Sequence, residues 1–88
     1  LGEIECALLS LQGVQNGCCL YQLAAERIVL VYTGTIAEER LRAGLKERIP
    51  RYMLPDLYIA LDVLPQTGSG KIDRVSVRQV VEREHPLP

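Results

Sequence analysis

The sequence predicts a small α+β domain with element order αββαβα, a three-stranded sheet packed by helices. Two observations carry this. Apolar residues recur at helical spacing in two separate stretches, Ile4, Ala7, Leu8, Leu11 and then Ala37, Leu41, Leu45, Ile49. Between them, Ile28-Val29-Leu30-Val31-Tyr32 is apolar at every position, as in a central strand covered on both faces. Eighty-eight residues, 48% of them hydrophobic, suffice for one core and leave little room for a deep catalytic cavity. With no Trp or Phe, four tyrosines and the aliphatics must do the packing. No repeat, low-complexity tract or internal boundary divides the chain, so one domain is expected over 1–84, with a tail over 85–88.

In chain order, residues 2–12 read as the first helix. Glu3 and Glu5 sit in its first turn, where the macrodipole favours anions, and Gly13 stops it. For the two acids, helix-start electrostatics is a sufficient reading. Residues 14–16 link to a strand over Cys18–Leu23, and 24–27 form a hairpin turn into Ile28–Tyr32. Thr33-Gly34 breaks that strand. Thr35 with Glu38 has capping-box spacing for a helix over 36–48, whose polar face carries Glu38, Glu39, Arg42, Lys46 and Glu47 at i,i+4 spacings. Pro50 ends it. Arg51–Pro55 is expected to be a rigid corner that packs Tyr52 and Met53. Leu57–Leu61 is the third strand. A helix over 74–84 follows, with Val77, Val80 and Val81 inward and Arg78, Glu82 and Arg83 outward.

Composition excludes several classes. A net charge of −1 lacks the basic stripe that nucleic acid requires. No apolar run reaches the roughly 18 residues of a membrane span, so no membrane partner is expected. No signal-peptide pattern is present, and the chain opens on Leu1-Gly2-Glu3 rather than Met, as though cut from a longer protein. Cys6, Cys18 and Cys19 have no C-x-x-C spacing. They read as small buried hydrophobes of a reducing, cytoplasmic compartment, with Cys18 and Cys19 on opposite faces of a strand. His85 lies in the tail with no partner cluster, and no metal site is expected.

The chemistry concentrates in Pro65-Gln66-Thr67-Gly68-Ser69-Gly70-Lys71-Ile72-Asp73-Arg74. Gly68 and Gly70 can adopt φ > 0 and let the backbone approach a ligand. Lys71 carries a point charge on a long stem that reaches a carboxylate or phosphate. Asp73 is placed to cap a helix starting at Arg74. A P-loop is excluded: its first glycine would fall at Pro65, and Ile72 follows Lys71 where a hydroxyl residue is needed. On these residues alone, a solvated turn with an ordinary surface lysine stays open.

Three stretches in register resemble the C-terminal subdomain of the adenylate-forming enzyme superfamily, most closely the amino-acid adenylation domains of nonribosomal peptide synthetases. Leu1-Gly2-Glu3-Ile4-Glu5 looks like the end of the family's hinge-proximal motif. Ile49-Pro50-Arg51-Tyr52-Met53-Leu54-Pro55 looks like its Leu-Pro-x-Tyr-Met-x-Pro segment. Leu64–Arg74 looks like its Leu-Pro-x-Thr-x-x-Gly-Lys-x-Asp-Arg loop. The resemblance covers essentially the whole chain. It implies a mobile subdomain that rotates on a larger N-terminal domain between two half-reactions. These are formation of an acyl-adenylate from ATP, with release of pyrophosphate, and transfer of the acyl group to the phosphopantetheine thiol of a carrier protein. ATP and Mg2+ would be held mainly by the larger domain. Lys71 is implied as the catalytic lysine of the first step, on a loop whose Gly68, Ser69 and Gly70 enter the cleft. Thr67, Asp73 and Arg74 are implied as its support, and Gly2 and Glu3 as neighbours of the thiol-transfer face. Three departures stand out. The hinge residue would precede Leu1. The ATP-binding domain is not in this chain, so the chain alone is expected to be inactive. Ser69 stands where peptide synthetases commonly have Asn; Ser-Gly-Lys is also frequent in acyl-CoA synthetases, which keeps coenzyme A open as the acceptor. A freestanding interaction module is the alternative from another class.

Overall fold

A computed structural model describes residues 2–85. Its elements are α1 (Gly2–Leu9), β1 (Val14–Gln22), β2 (Arg27–Gly34), α2 (Glu38–Arg48), β3 (Leu57–Ala60) and α3 (Arg74–Glu84). This is the expected αββαβα order. The sheet runs β1-β2-β3, with β1 antiparallel to β2 and β3 parallel to it. The long run read as a central strand is central: Val29, Leu30 and Val31 have no exposed surface. The parallel step from β2 to β3 requires a crossover, and α2 supplies it.

The alternation of β2 divides the core in two. On one face, Leu30 and Tyr32 pack with Ile4 and Leu8 of α1 and Leu41 and Leu45 of α2. On the other, Val29 and Val31 pack with Ile59 of β3 and Val77 and Val81 of α3. The molecule is thus a three-layer sandwich. Cys18 pairs with Val31 and Cys19 with Leu30, so the two cysteines do face opposite layers. Burial raises both thiols, Cys19 to about 12. Cys6, by contrast, is exposed and not part of the core.

Several local expectations give way to tertiary contacts. The first helix ends at Leu9 rather than 12, and Leu11 is buried from the turn that follows. β1 starts at Val14, with a register shift between Val14 and Asn16, so the expected link is strand. The cause lies at Gly13, whose φ of +95° turns the chain, and whose carbonyl accepts the N–H groups of Thr35 and Ile36 at 2.8 and 3.2 Å. That clamp joins the start of β1 to the end of β2 and extends both. It also removes the capping box. With its N–H bound to the Gly13 carbonyl, Thr35 has no backbone donor left for the Glu38 side chain. α2 instead begins after Ala37, which caps it without a side-chain bond. Ala37 is exposed rather than part of the buried stripe. Glu38 and Glu39 still meet the helix dipole in the first turn, and Glu38 pairs with Arg42 at 2.8 Å. Leu23 leaves the strand for a 3-10 turn, Leu23–Ala25, and is 79% exposed. The corner after Pro50 is a 3-10 turn over Arg51–Met53 that tucks in Met53 and Leu54 but leaves Tyr52 83% exposed, so Tyr52 does not pack there. β3 ends at Ala60, since Leu61 continues only by one bond to the Tyr32 carbonyl.

α3 spans the residues expected of it. His85 forms its C-terminal cap, its N–H bonded to the Val81 carbonyl at 2.8 Å. Leu1 and the tail residues 86–88 lie outside the described residues. Among the described residues, no helix is long and apolar enough to cross a membrane.

Candidate functional site: a braced hairpin that carries a lysine

After β3 the chain buries Leu64, leaves the body, and returns at Ile72, which packs on the α3 side of the core. Between these anchors, residues 66–71 are all exposed. The excursion is a small hairpin. Gln66 and Ile72 form an antiparallel bridge, Thr67 N–H donates to the Lys71 carbonyl at 2.7 Å, and Gly70 N–H closes the turn onto the Thr67 carbonyl at 3.0 Å. A three-residue hairpin loop of this kind needs a left-handed residue at its third position. Gly70 fills it with φ +84°. Gly68 has no such requirement: its φ is not left-handed, and open space surrounds the place a Cβ would occupy. The freedom to adopt positive φ is therefore used at Gly70 and not at Gly68. Lys71 leaves the second leg of the hairpin, and among the described residues its ammonium joins no ion pair.

The base of the hairpin is tied down. Asp73 N–H donates to the Pro65 carbonyl at 2.9 Å. The Asp73 carboxylate caps α3, accepting from Ser76 N–H at 3.2 Å and from the Ser76 hydroxyl at 2.8 Å. Those bonds from Ser76 hold its carboxyl below the usual range. Arg74 then reaches across the molecule. Its guanidinium binds both oxygens of Glu5 on α1, at 2.8 and 2.7 Å. Glu5 in turn accepts the Cys19 N–H at 2.8 Å. The Arg74 bond, opposed by partial burial, holds the Glu5 carboxyl below its ordinary value, and Glu5 raises Arg74 in return. Arg74 also lies 3.5 Å from the Cys19 carbonyl, and Arg78 donates to the Tyr21 carbonyl at 3.2 Å.

Thr67, Asp73 and Arg74 are thus in contact with the loop or its base. Gly2 and Glu3 are not. Both are exposed in the first turn of α1, where Glu3 borders a shallow depression with Cys6, Ser10, Arg48 and Pro50. Glu5, two residues further along α1, is the residue that meets the loop base. Sequence reasoning assigned Glu5 to helix-start electrostatics and missed this role. Its partner lies 69 positions away, and no local pattern links them.

A tethered, exposed cation at the edge of a rigid body can serve an anion presented by another body. Among the described residues, no group of three His, Cys, Asp or Glu is placed to hold a metal ion.

Comparison with known proteins identifies the scaffold. The sequence profile of the AMP-binding enzyme C-terminal domain matches residues 3–71. Surfactin synthase subunit 1 of Bacillus subtilis (strain 168) is 38% identical over 79 residues, covering 84% of this chain and 2% of that protein. Zwittermicin A synthase ZmaJ of Bacillus cereus is 35% identical over 79 residues, covering 84% of this chain and 15% of that protein. Among solved structures, holo-AB3403, a four-domain nonribosomal peptide synthetase bound to AMP and glycine, superposes with a TM-score of 0.75 at 29% identity, covering 100% of this chain and 6% of that one. This chain therefore spans only a small fraction of the proteins it matches. It belongs to the AMP-binding enzyme C-terminal domain family, the C-terminal subdomain of adenylate-forming enzymes, and is most like those of nonribosomal peptide synthetases.

Proposed function

We propose that residues 1–84 act as the mobile C-terminal subdomain of an ATP-dependent ligase that activates an amino acid and passes it to the phosphopantetheine thiol of a carrier protein. The observation that carries this is Lys71, exposed on a hairpin whose base is tied to α1, β1 and α3 while its tip, residues 68–70, is exposed. In the first half-reaction a substrate carboxylate oxygen attacks the α-phosphorus of ATP, and the bond to pyrophosphate breaks. The Lys71 ammonium, placed between carboxylate and α-phosphate, orients the attack and offsets charge developing on the phosphoryl oxygens. Gly68, Ser69 and Gly70 present a slim tip that can enter a cleft in the N-terminal subdomain, joined in cis. Mg2+ and most of the ATP contacts belong to that subdomain, as the likeness to adenylate-forming enzymes implies. In the second half-reaction the thiol attacks the acyl carbonyl and AMP leaves. Lys71 withdraws as the subdomain rotates, and Gly2 and Glu3 turn toward the site. The chain alone lacks the pocket and is inactive, and the working enzyme is cytoplasmic.

A neighbour bound to AMP and glycine supports an amino-acid substrate. Ser69 before Gly70-Lys71 favours the second reading, in which coenzyme A is the acceptor. Substrate-dependent pyrophosphate exchange by the full-length protein tests the assignment. With Lys71→Ala, exchange should fall by about 10²–10³-fold, the effect of removing one preorganised charge-stabilising donor. Transfer from preformed adenylate should persist. Unchanged exchange would remove Lys71 from the chemistry. Supplying carrier protein or coenzyme A as the only acceptor separates the two readings.

A further inference from the structure

One residue holds Lys71 from both sides. The Thr67 N–H donates to the Lys71 carbonyl at 2.7 Å, and the Thr67 hydroxyl accepts the Lys71 N–H at 3.3 Å. The same hydroxyl lies 3.0 Å from that of Ser69. The backbone bonds would form with almost any residue at 67. The hydroxyl contacts would not. Thr67 is exposed and belongs to neither core layer, so packing gives no reason for a threonine there.

We infer that Thr67 is a positioning residue for Lys71. Its hydroxyl, by holding the Lys71 N–H, sets the direction in which the ammonium stem leaves the hairpin. The inference rests on the adenylation reading above. Without the hydroxyl, the Lys71 N–H turns to water, and the second leg is held at this point by the two backbone bonds alone. The stem then samples more directions, and a smaller fraction of encounters is aligned for in-line attack. Ground-state binding of ATP and amino acid, which the other subdomain performs, should not change.

The test uses the full-length protein with Thr67→Val, Thr67→Ser, Lys71→Ala and the Thr67→Val/Lys71→Ala pair. Thr67→Val should lower kcat for pyrophosphate exchange by about tenfold, the size of one lost hydrogen bond felt at the transition state. KM for ATP and amino acid should stay within about twofold. Thr67→Ser should restore most of the rate. In the Lys71→Ala background, Thr67→Val should cost nothing more, because it acts through the lysine. The thermal midpoint of Thr67→Val should stay within about 2 °C of wild type. Equal rates for Thr67→Val and wild type, failure of serine to rescue, or an added loss without Lys71 would each overturn the inference. If Lys71→Ala collapses exchange while Thr67→Val does not, only this inference falls. If Lys71→Ala is itself without effect, the adenylation reading falls first.

Discussion

The middle of β2 and the hairpin at 66–72 are short stretches held on opposite terms. Val29, Leu30 and Val31 are sealed between helices on both faces of the sheet and have no exposed surface. Residues 66–71 have almost no packing at all. Backbone bonds within the turn and polar ties at its base keep their shape. The first stretch can be changed only at the expense of the fold. The second can be changed at the expense of whatever the loop does. On the proposed function, stability and activity are written in separate places, and substitutions should pull them apart.

The largest expected effect is on the core side. Leu30→Ala should destabilise by about 2–5 kcal/mol, as a large-to-small change in a filled site does. Urea unfolding reads it directly. Its counterpart, Lys71→Ala, should leave the unfolding midpoint within about 0.5 kcal/mol of wild type while adenylation collapses. A matching stability loss there would break the comparison. Gly70→Ala sharpens it. Open space surrounds the missing Cβ, so any cost comes from φ alone, about 1–2 kcal/mol for a left-handed non-glycine residue. The same measurement on Gly68→Ala should show a much smaller cost, because that backbone is not left-handed.

A further, modest effect tests the tie between α1 and the base of the hairpin. Glu5→Gln replaces a bidentate ion pair with a neutral contact. Since Arg74 is 58% exposed, solvent screens the pair, and the loss should be about 1 kcal/mol at neutral pH. The pH dependence has a definite sign. Glu5 is depressed in the folded state, so its stabilisation is present above its ordinary value of 4.5. It disappears as pH falls from there through the folded value. Wild type and Glu5→Gln should therefore converge in stability under acid. A gap that stays constant as the pH drops would show that the pair's charge is not what matters.

Much of the scaffold could be read from residues in order. The five apolar positions of 28–32 identify the sheet's centre, Cys18 and Cys19 split between layers as alternation requires, and Asp73 caps α3 where its position before Arg74 implied. These are local patterns whose tertiary context agrees with them. What was not legible depends on distant partners. Val14-Gln15-Asn16-Gly17 has little strand character and becomes strand because it lies against the end of β2. Thr35 loses its capping role because Gly13, far back in the chain, takes the nearby N–H groups. Tyr52 lies between Pro50 and Pro55 and beside Met53, yet the turn carries it outward while Met53 goes in. At the site, Lys71 and its glycines stood out in the sequence. The resemblance also pointed to Thr67, Asp73 and Arg74 as support, but not to Glu5, which meets Arg74 only once the chain is folded, nor to the contact of the Thr67 hydroxyl with the Lys71 N–H.

The arginines along α3 have another consequence. β1 is an outer strand, and its outward N–H and C=O groups are the kind that recruit a neighbouring strand from another molecule. Here the Cys19 N–H is occupied by Glu5, and the Cys19 and Tyr21 carbonyls face Arg74 and Arg78. Glu5 and Arg74, which tie down the base of the hairpin, together with Arg78 thus occupy the outward groups of β1 that strand addition would need. Copies of this chain are thereby kept from pairing edge to edge through β1.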